Sequence, residues 1–165
     1  MNALLALTLA PVIAVSTQDN AAADFALMGV RLSMSPAQTA QVLKTESHGI
    51  EEHATPCPLP PAQECRSLRA TLPDGSMEIL FQNSPEGPVA VRIALTVKGR
   101  GERDREMVLA AAIEHYGPPT LNDPAWCVLD ARGQRCSDDA PSMVFTPLAG
   151  AAGQFILTAP PDGDP

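Results

Sequence analysis

Few side chains in this sequence suggest chemistry, and their spacing defeats most of what they suggest. His48, Glu51, Glu52 and His53, with Cys57 close by, form the richest group of metal-ligand types. A zinc hydrolase needs its histidines about one turn apart on a single helix, with a glutamate as base. The run His-Gly-Ile-Glu-Glu-His misses both H-E-x-x-H and H-x-x-E-H by one residue, and Gly49 falls between the histidines at an expected helix end. This run is expected to be a polar loop that holds no metal.

Nucleophilic catalysis has no better footing. The chain has no G-x-S-x-G elbow and no serine three positions before a lysine. His115 is a formal candidate for a base, but a histidine in the last turn of a helix serves the C-terminal dipole equally well. The stretch Lys98-Gly99-Arg100-Gly101-Glu102-Arg103-Asp104-Arg105 has the glycines and cations of an anion loop. Glu102, Asp104 and Glu106 interleave with those cations and largely cancel them. Asp138 and Asp139 lack the D-x-D-x-D-G frame of a calcium loop. Trp126 beside a cysteine reads as a core anchor. The sequence thus assigns no catalytic residue, no metal and no cofactor, and an unrecognised hydrolase ranks only third among its functional readings.

The four cysteines, Cys57, Cys65, Cys127 and Cys136, say more about where the protein works than about what it does. Leu4 to Val15 is an apolar run of h-region length, too short to span a bilayer, and is followed by small residues that suit signal cleavage. Residues 1–23 are therefore expected to be a signal peptide, and the protein periplasmic or secreted. Cysteines in an exported chain pair more often than they stay free. Three connectivities are open; the local one, Cys57–Cys65 with Cys127–Cys136, closes two short loops. A formal charge of −8 excludes the clustered basic surface that nucleic acid rewards. No stretch after the first apolar run is long enough for a membrane span.

The elements that must carry these residues alternate along the chain. Phe25–Leu32 is expected to be a short strand. Ser35-Pro36-Ala37-Gln38 opens a helix with a capping box and proline in the first turn, running to about Ser47 with Ala37, Ala40 and Leu43 inward. Pro56, Pro58, Pro60 and Pro61 predict an irregular segment from Gly49 to Ala62. Strands are expected at Ser67–Leu72, Ser76–Gln82 and Val89–Lys98. In the last, Val89, Val91, Ile93, Leu95 and Val97 alternate with Ala90, Arg92, Ala94, Thr96 and Lys98. That period of two marks an antiparallel sheet with one buried face and one wet face. A second helix spans Arg103–Tyr116, and three short strands follow at Trp126–Asp130, Ser142–Thr146 and Gln154–Thr158. With aromatics at 4%, the core is expected to be aliphatic apart from Trp126 and Tyr116.

Several of these features recur at one period. Gly49 and Gly117 are 68 positions apart, Cys57 and Cys127 are 70, and Cys65 and Cys136 are 71. A fixed period across several features is what tandem duplication produces. The expected fold is α+β: two similar units of one helix packed on an antiparallel sheet, disulfide-bonded, at 24–87 and 88–158, with a frayed tail at 159–165.

Gly29-Val30-Arg31-Leu32-Ser33-Met34-Ser35, followed by a helix bearing Gln38, resembles the G-x-x-L-G-M-[ST]-x-x-[EQ] motif of small exported envelope proteins. These are the outer-membrane assembly lipoproteins (SmpA/OmlA-like) and the β-lactamase-inhibitor-protein-like group. Tyr116-Gly117-Pro118-Pro119 is similar to the YG-x-P helix exit of the same proteins. Ser33 stands where the motif has glycine, and no lipid-anchoring cysteine follows the apolar run. The resemblance implies a helical layer over one face of an antiparallel sheet. In the inhibitor proteins the unit occurs twice, with a disulfide in each half. The function expected from compartment and architecture is binding, by a periplasmic accessory protein without catalysis. Its envelope or secreted protein partner would dock on the wet sheet face at Arg92, Thr96 and Lys98. The runner-up is an inhibitor of a secreted enzyme.

Overall fold

Strand formers from Glu64 to Val97 fold back on themselves at two tight turns, and this meander dominates the computed structural model, which describes residues 24–56 and 64–160. The expected signal segment, Cys57 and its neighbouring prolines at 58, 60 and 61, and the end of the tail lie outside the described residues. The elements run α1 (Pro36–Leu43), β1 (Gly49–Pro56), β2 (Glu64–Leu72), β3 (Gly75–Ser84), β4 (Gly87–Val97), α2 (Gly101–Tyr116), β5 (Ala125–Cys127), β6 (Ser142–Thr146) and β7 (Gly153–Thr158). The strands form one antiparallel sheet in the order β1-β2-β3-β4-β7-β6-β5. Two meanders thus run inward from opposite edges and meet where β4 pairs with β7.

Both helices lie on one face. Leu43 from α1 and Ala112 from α2 join Leu68, Met77, Ile79, Phe81, Ile93, Phe155 and Leu157 in one core. The capping box forms: the Ser35 hydroxyl accepts from Gln38 N, and the Gln38 side chain accepts from Ser35 N. α1 ends earlier than expected, at Leu43, and it buries Thr39 and Leu43 while Ala37 stays exposed. Leu43 and Ala40 face the core as the spacing suggests, with Thr39 rather than Ala37 completing the inward face.

Four other expectations are corrected. Gly49–Pro56 is a strand rather than irregular chain, paired along its whole length with β2. Its one proline, Pro56, stands at the last paired position of an edge strand, where proline is tolerated. Phe25–Leu32 is not a strand but a tight turn. Leu27 and Val30 exchange two 3.0 Å backbone bonds while Met28 and Gly29 both take positive φ, at 52° and 78°. The alternation in β4 breaks at Val91, because Leu80 faces Arg92 while Phe81 faces Ala90. This bulge turns Ala90 into the core and leaves Ile93, Leu95 and Val97 on the face expected.

The fourth correction concerns the core's chemistry. Phe25, Tyr116, Trp126, Phe155 and Phe145 form an unbroken chain of ring contacts, with centroids 4.7, 6.4, 6.5 and 4.8 Å apart in turn. Few aromatics are present, but folding gathers them where α2 meets the second meander. Trp126 is 3% exposed and donates its indole N–H to Gly117 O at 2.8 Å, and Tyr116 Oη donates to Ala26 O at 2.7 Å. Burial pushes the Tyr116 phenol above its ordinary pKa. Cys127–Cys136 is a disulfide with Cα atoms 5.5 Å apart. Cys65 is buried and is not a free thiol.

Candidate functional site

The sheet's second face, opposite the helices, is where the alternation of β4 places its polar residues. Arg92 stands between Leu80 and Thr158, Ala94 between Glu78 and Ile156, and Thr96 between Ser76 and Gln154. The Thr96 hydroxyl accepts from the Gln154 amide at 3.0 Å, which fixes both side chains across the β4–β7 junction. Leu80, Ile156 and Val144 are half-buried on this same face, so its middle is partly apolar. Farther out, Arg69 and Glu78 approach to 3.3 Å with both side chains well exposed, a contact worth about 0–1 kcal/mol. The result is a mixed surface: aliphatic in the centre, with hydrogen-bonding and charged groups around it.

Of the three residues expected to form a partner face, Arg92 and Thr96 share it. Lys98 sits beyond the end of β4, where its N–H donates to Asp74 O and its Nζ donates to Pro73 O, each at about 2.8–2.9 Å. It closes the β2–β3 turn at the margin of the face. Gln154 and Ile156, absent from the sequence expectation, complete the centre. Their own alternation in Gln154–Thr158 hinted at one wet side, but nothing local indicates that β7 inserts beside β4.

The residues with catalytic or ligating types are dispersed. Glu51 and His53 lie two apart on one face of β1 with His53 Nε2 at 3.3 Å from Glu51 Oε2, while Glu52 projects to the other face. Among the described residues no group of three histidines, cysteines or carboxylates is placed to hold a metal ion. His115 meets Tyr116 edge-on at 4.6 Å and lines an apolar cavity of about 280 Å³ with Leu27, Val108, Ala112 and Phe155. The Tyr116 hydroxyl in that lining is already donated to Ala26.

In the Lys98–Arg105 stretch, whose cations the sequence expects its carboxylates to cancel, Asp104 accepts from Arg100 N at 2.6 Å at the start of α2. Asp130 organises the disulfide loop: Gln134 N donates to its Oδ1 at 3.0 Å and Arg135 Nε to its Oδ2 at 3.3 Å. Backbone N–H donation from Gln134 is the largest influence holding the Asp130 carboxyl below its ordinary pKa. Among the described residues no helix is long and apolar enough to cross a membrane. Compared with known protein families, curated proteins and solved structures, the chain gives no match.

Proposed function

We propose that this chain is an exported binding protein without chemistry of its own, a periplasmic or secreted accessory factor that docks a protein partner on the sheet face opposite its helices. The observation that carries this reading is the composition of that face around Arg92, Thr96 and Gln154. It combines half-buried aliphatic side chains with hydrogen-bonding groups held in place by their neighbours. Protein interfaces pair an apolar centre with a polar rim in this way, and arginine is a favoured anchor. Export is supported by the Cys127–Cys136 disulfide together with the apolar N-terminal sequence.

A second reading, an inhibitor of a secreted enzyme, draws on the topology. Each meander is preceded by a helix, and the two meet at β4–β7, an order compatible with one unit used twice. The resemblance to the envelope proteins gains support from Ser33, whose φ of 65° is the left-handed conformation that glycine takes without steric cost at that place in their motif.

Chemical cross-linking of the tagged protein in the cells that export it tests the proposal. One partner recovered at near-stoichiometric yield from the parent and lost from Arg92→Glu is the expected result; its identity separates accessory factor from inhibitor. Recovery unaffected by Arg92→Glu, or no partner above background, contradicts it.

A further inference from the structure

A different part of the molecule offers a second kind of recognition. β1 stands first in the sheet order, so one side of its backbone pairs with β2 and, among the described residues, the other is a sheet edge of eight residues. Alternate N–H and C=O groups along such an edge point outward and form a template for another extended chain. Beside this edge, on the helix-covered face, lies a groove of about 490 Å³. Pro36, Ala37 and Ala40 of α1 form one wall, Ile50 and Glu52 of β1 the other, and Leu68 the floor. Two small alanines on the helix keep the groove open, and its lining is mixed: aliphatic at Ile50 and Leu68, polar at Glu52.

Edge and groove share β1, and together they specify a ligand. We propose that β1 and the groove against α1 form a binding site for an extended peptide segment of a partner, one alternating aliphatic and basic side chains. The peptide adds as a strand outside β1, which supplies main-chain hydrogen bonds. Its side chains on the helix side enter the groove over Leu68, and successive side chains of a strand alternate faces. Charge selects the rest: the peptide's basic side chains fall on the opposite face beside the exposed Glu51, and Glu52 at the groove wall adds to the negative potential of the edge.

The same carboxylates argue against a second copy of this chain as the occupant. An antiparallel β1–β1 pair centred on this stretch would set Glu51 against Glu51, or Glu52 against Glu52, of the other copy, and like charges facing across strands destabilise the pair. The site lies at the sheet's edge and on its helix side, so it does not depend on docking at Arg92 and Thr96.

The probe is a capped hexapeptide, Lys-Leu-Lys-Val-Lys-Leu, titrated into the full chain by fluorescence anisotropy, with amide hydrogen exchange followed in parallel. Saturable one-to-one binding is expected, with new protection confined to the amides of residues 49–55. The double variant Glu51→Lys, Glu52→Lys should weaken binding by about tenfold or more. Ala37→Trp, an exposed position that would fill the groove, should do the same while the thermal melt stays put. A peptide N-methylated at alternate amides should not bind. Equal binding of the N-methylated peptide would show simple charge attraction and overturn the proposal. So would binding that survives Ala37→Trp, absence of protection in β1, or no binding of the parent peptide. Should Ala37→Trp fail to fold, the N-methylated peptide and the exchange pattern still decide the matter.

Discussion

The two edges of the sheet are built on opposite plans. At one end β5 is three residues long, and its backbone is capped by the chain that precedes it. Thr120 N donates to Ala125 O at 2.7 Å, and the Thr120 hydroxyl bonds both Cys127 N and Cys127 O at 3.2–3.3 Å. Trp126 pins the strand to α2 from the core side, and the disulfide ties the following loop. At the other end β1 runs for eight residues with Glu51, Glu52 and His53 exposed along it. Short, covered edges and long, charged ones both avoid indiscriminate pairing, but only the second keeps a template available to a chosen partner. The sheet is closed at β5 by packing and covalent linkage, whereas among the described residues the β1 edge is guarded by charge.

Breaking the closed edge should have the largest effect. Trp126→Ala removes the central ring of the aromatic chain and strands Gly117 O, so it should cost about 3–5 kcal/mol in chemical denaturation. Opening the disulfide with Cys127→Ser and Cys136→Ser, nine positions apart, should lower stability by roughly 2–3 kcal/mol, read from the urea midpoint. Gly153→Ala comes next, because the Phe145 ring lies over Gly153 and an added methyl would displace it; about 1–3 kcal/mol of destabilisation is expected in the same assay.

The open edge should respond differently. Glu51→Thr with Glu52→Thr should leave the denaturation midpoint within about 0.5 kcal/mol of the parent yet promote self-association on sizing chromatography. Opposite behaviour, large destabilisation with no association, would mean that the charges stabilise the strand instead of guarding it.

The smallest effect concerns pH in the closed-edge loop. Asp130 has a depressed pKa in the folded chain, so its contribution is present above the ordinary carboxylate value and is lost as pH falls through the lower folded value. Amide exchange of Gln134 should therefore accelerate in acid ahead of the sheet amides, and Asp130→Asn should abolish that acid step.

Much of the fold was legible because it is local. The capping box at Ser35, the glycine-proline exit after Tyr116 and the alternation through β2, β3 and the second half of β4 are all written in short-range spacing. β1 was not legible, because Glu51, Glu52, His53 and Pro56 look like loop chemistry. Those residues are tolerated, and useful, on an edge strand, and being an edge is a property of the sheet. The bulge at Val91 is likewise set by a neighbour: Ser33 N donates to Ala90 O and Ala90 N to Met34 O, so the chain before α1 claims that end of β4. The candidate face was half legible. Arg92 and Thr96 follow from alternation beyond the bulge, while Gln154 and Ile156 reach it through a non-local pairing that no window of sequence contains.

The most direct test of the account is site-specific photo-cross-linking with a benzophenone side chain at position 96, on the proposed docking face, or at position 110, exposed on α2. A discrete adduct of one mass from position 96 and none from position 110 is the predicted outcome. Equal labelling from both positions, or adducts from position 110 alone, would contradict the sheet face as the place where this protein meets its partner.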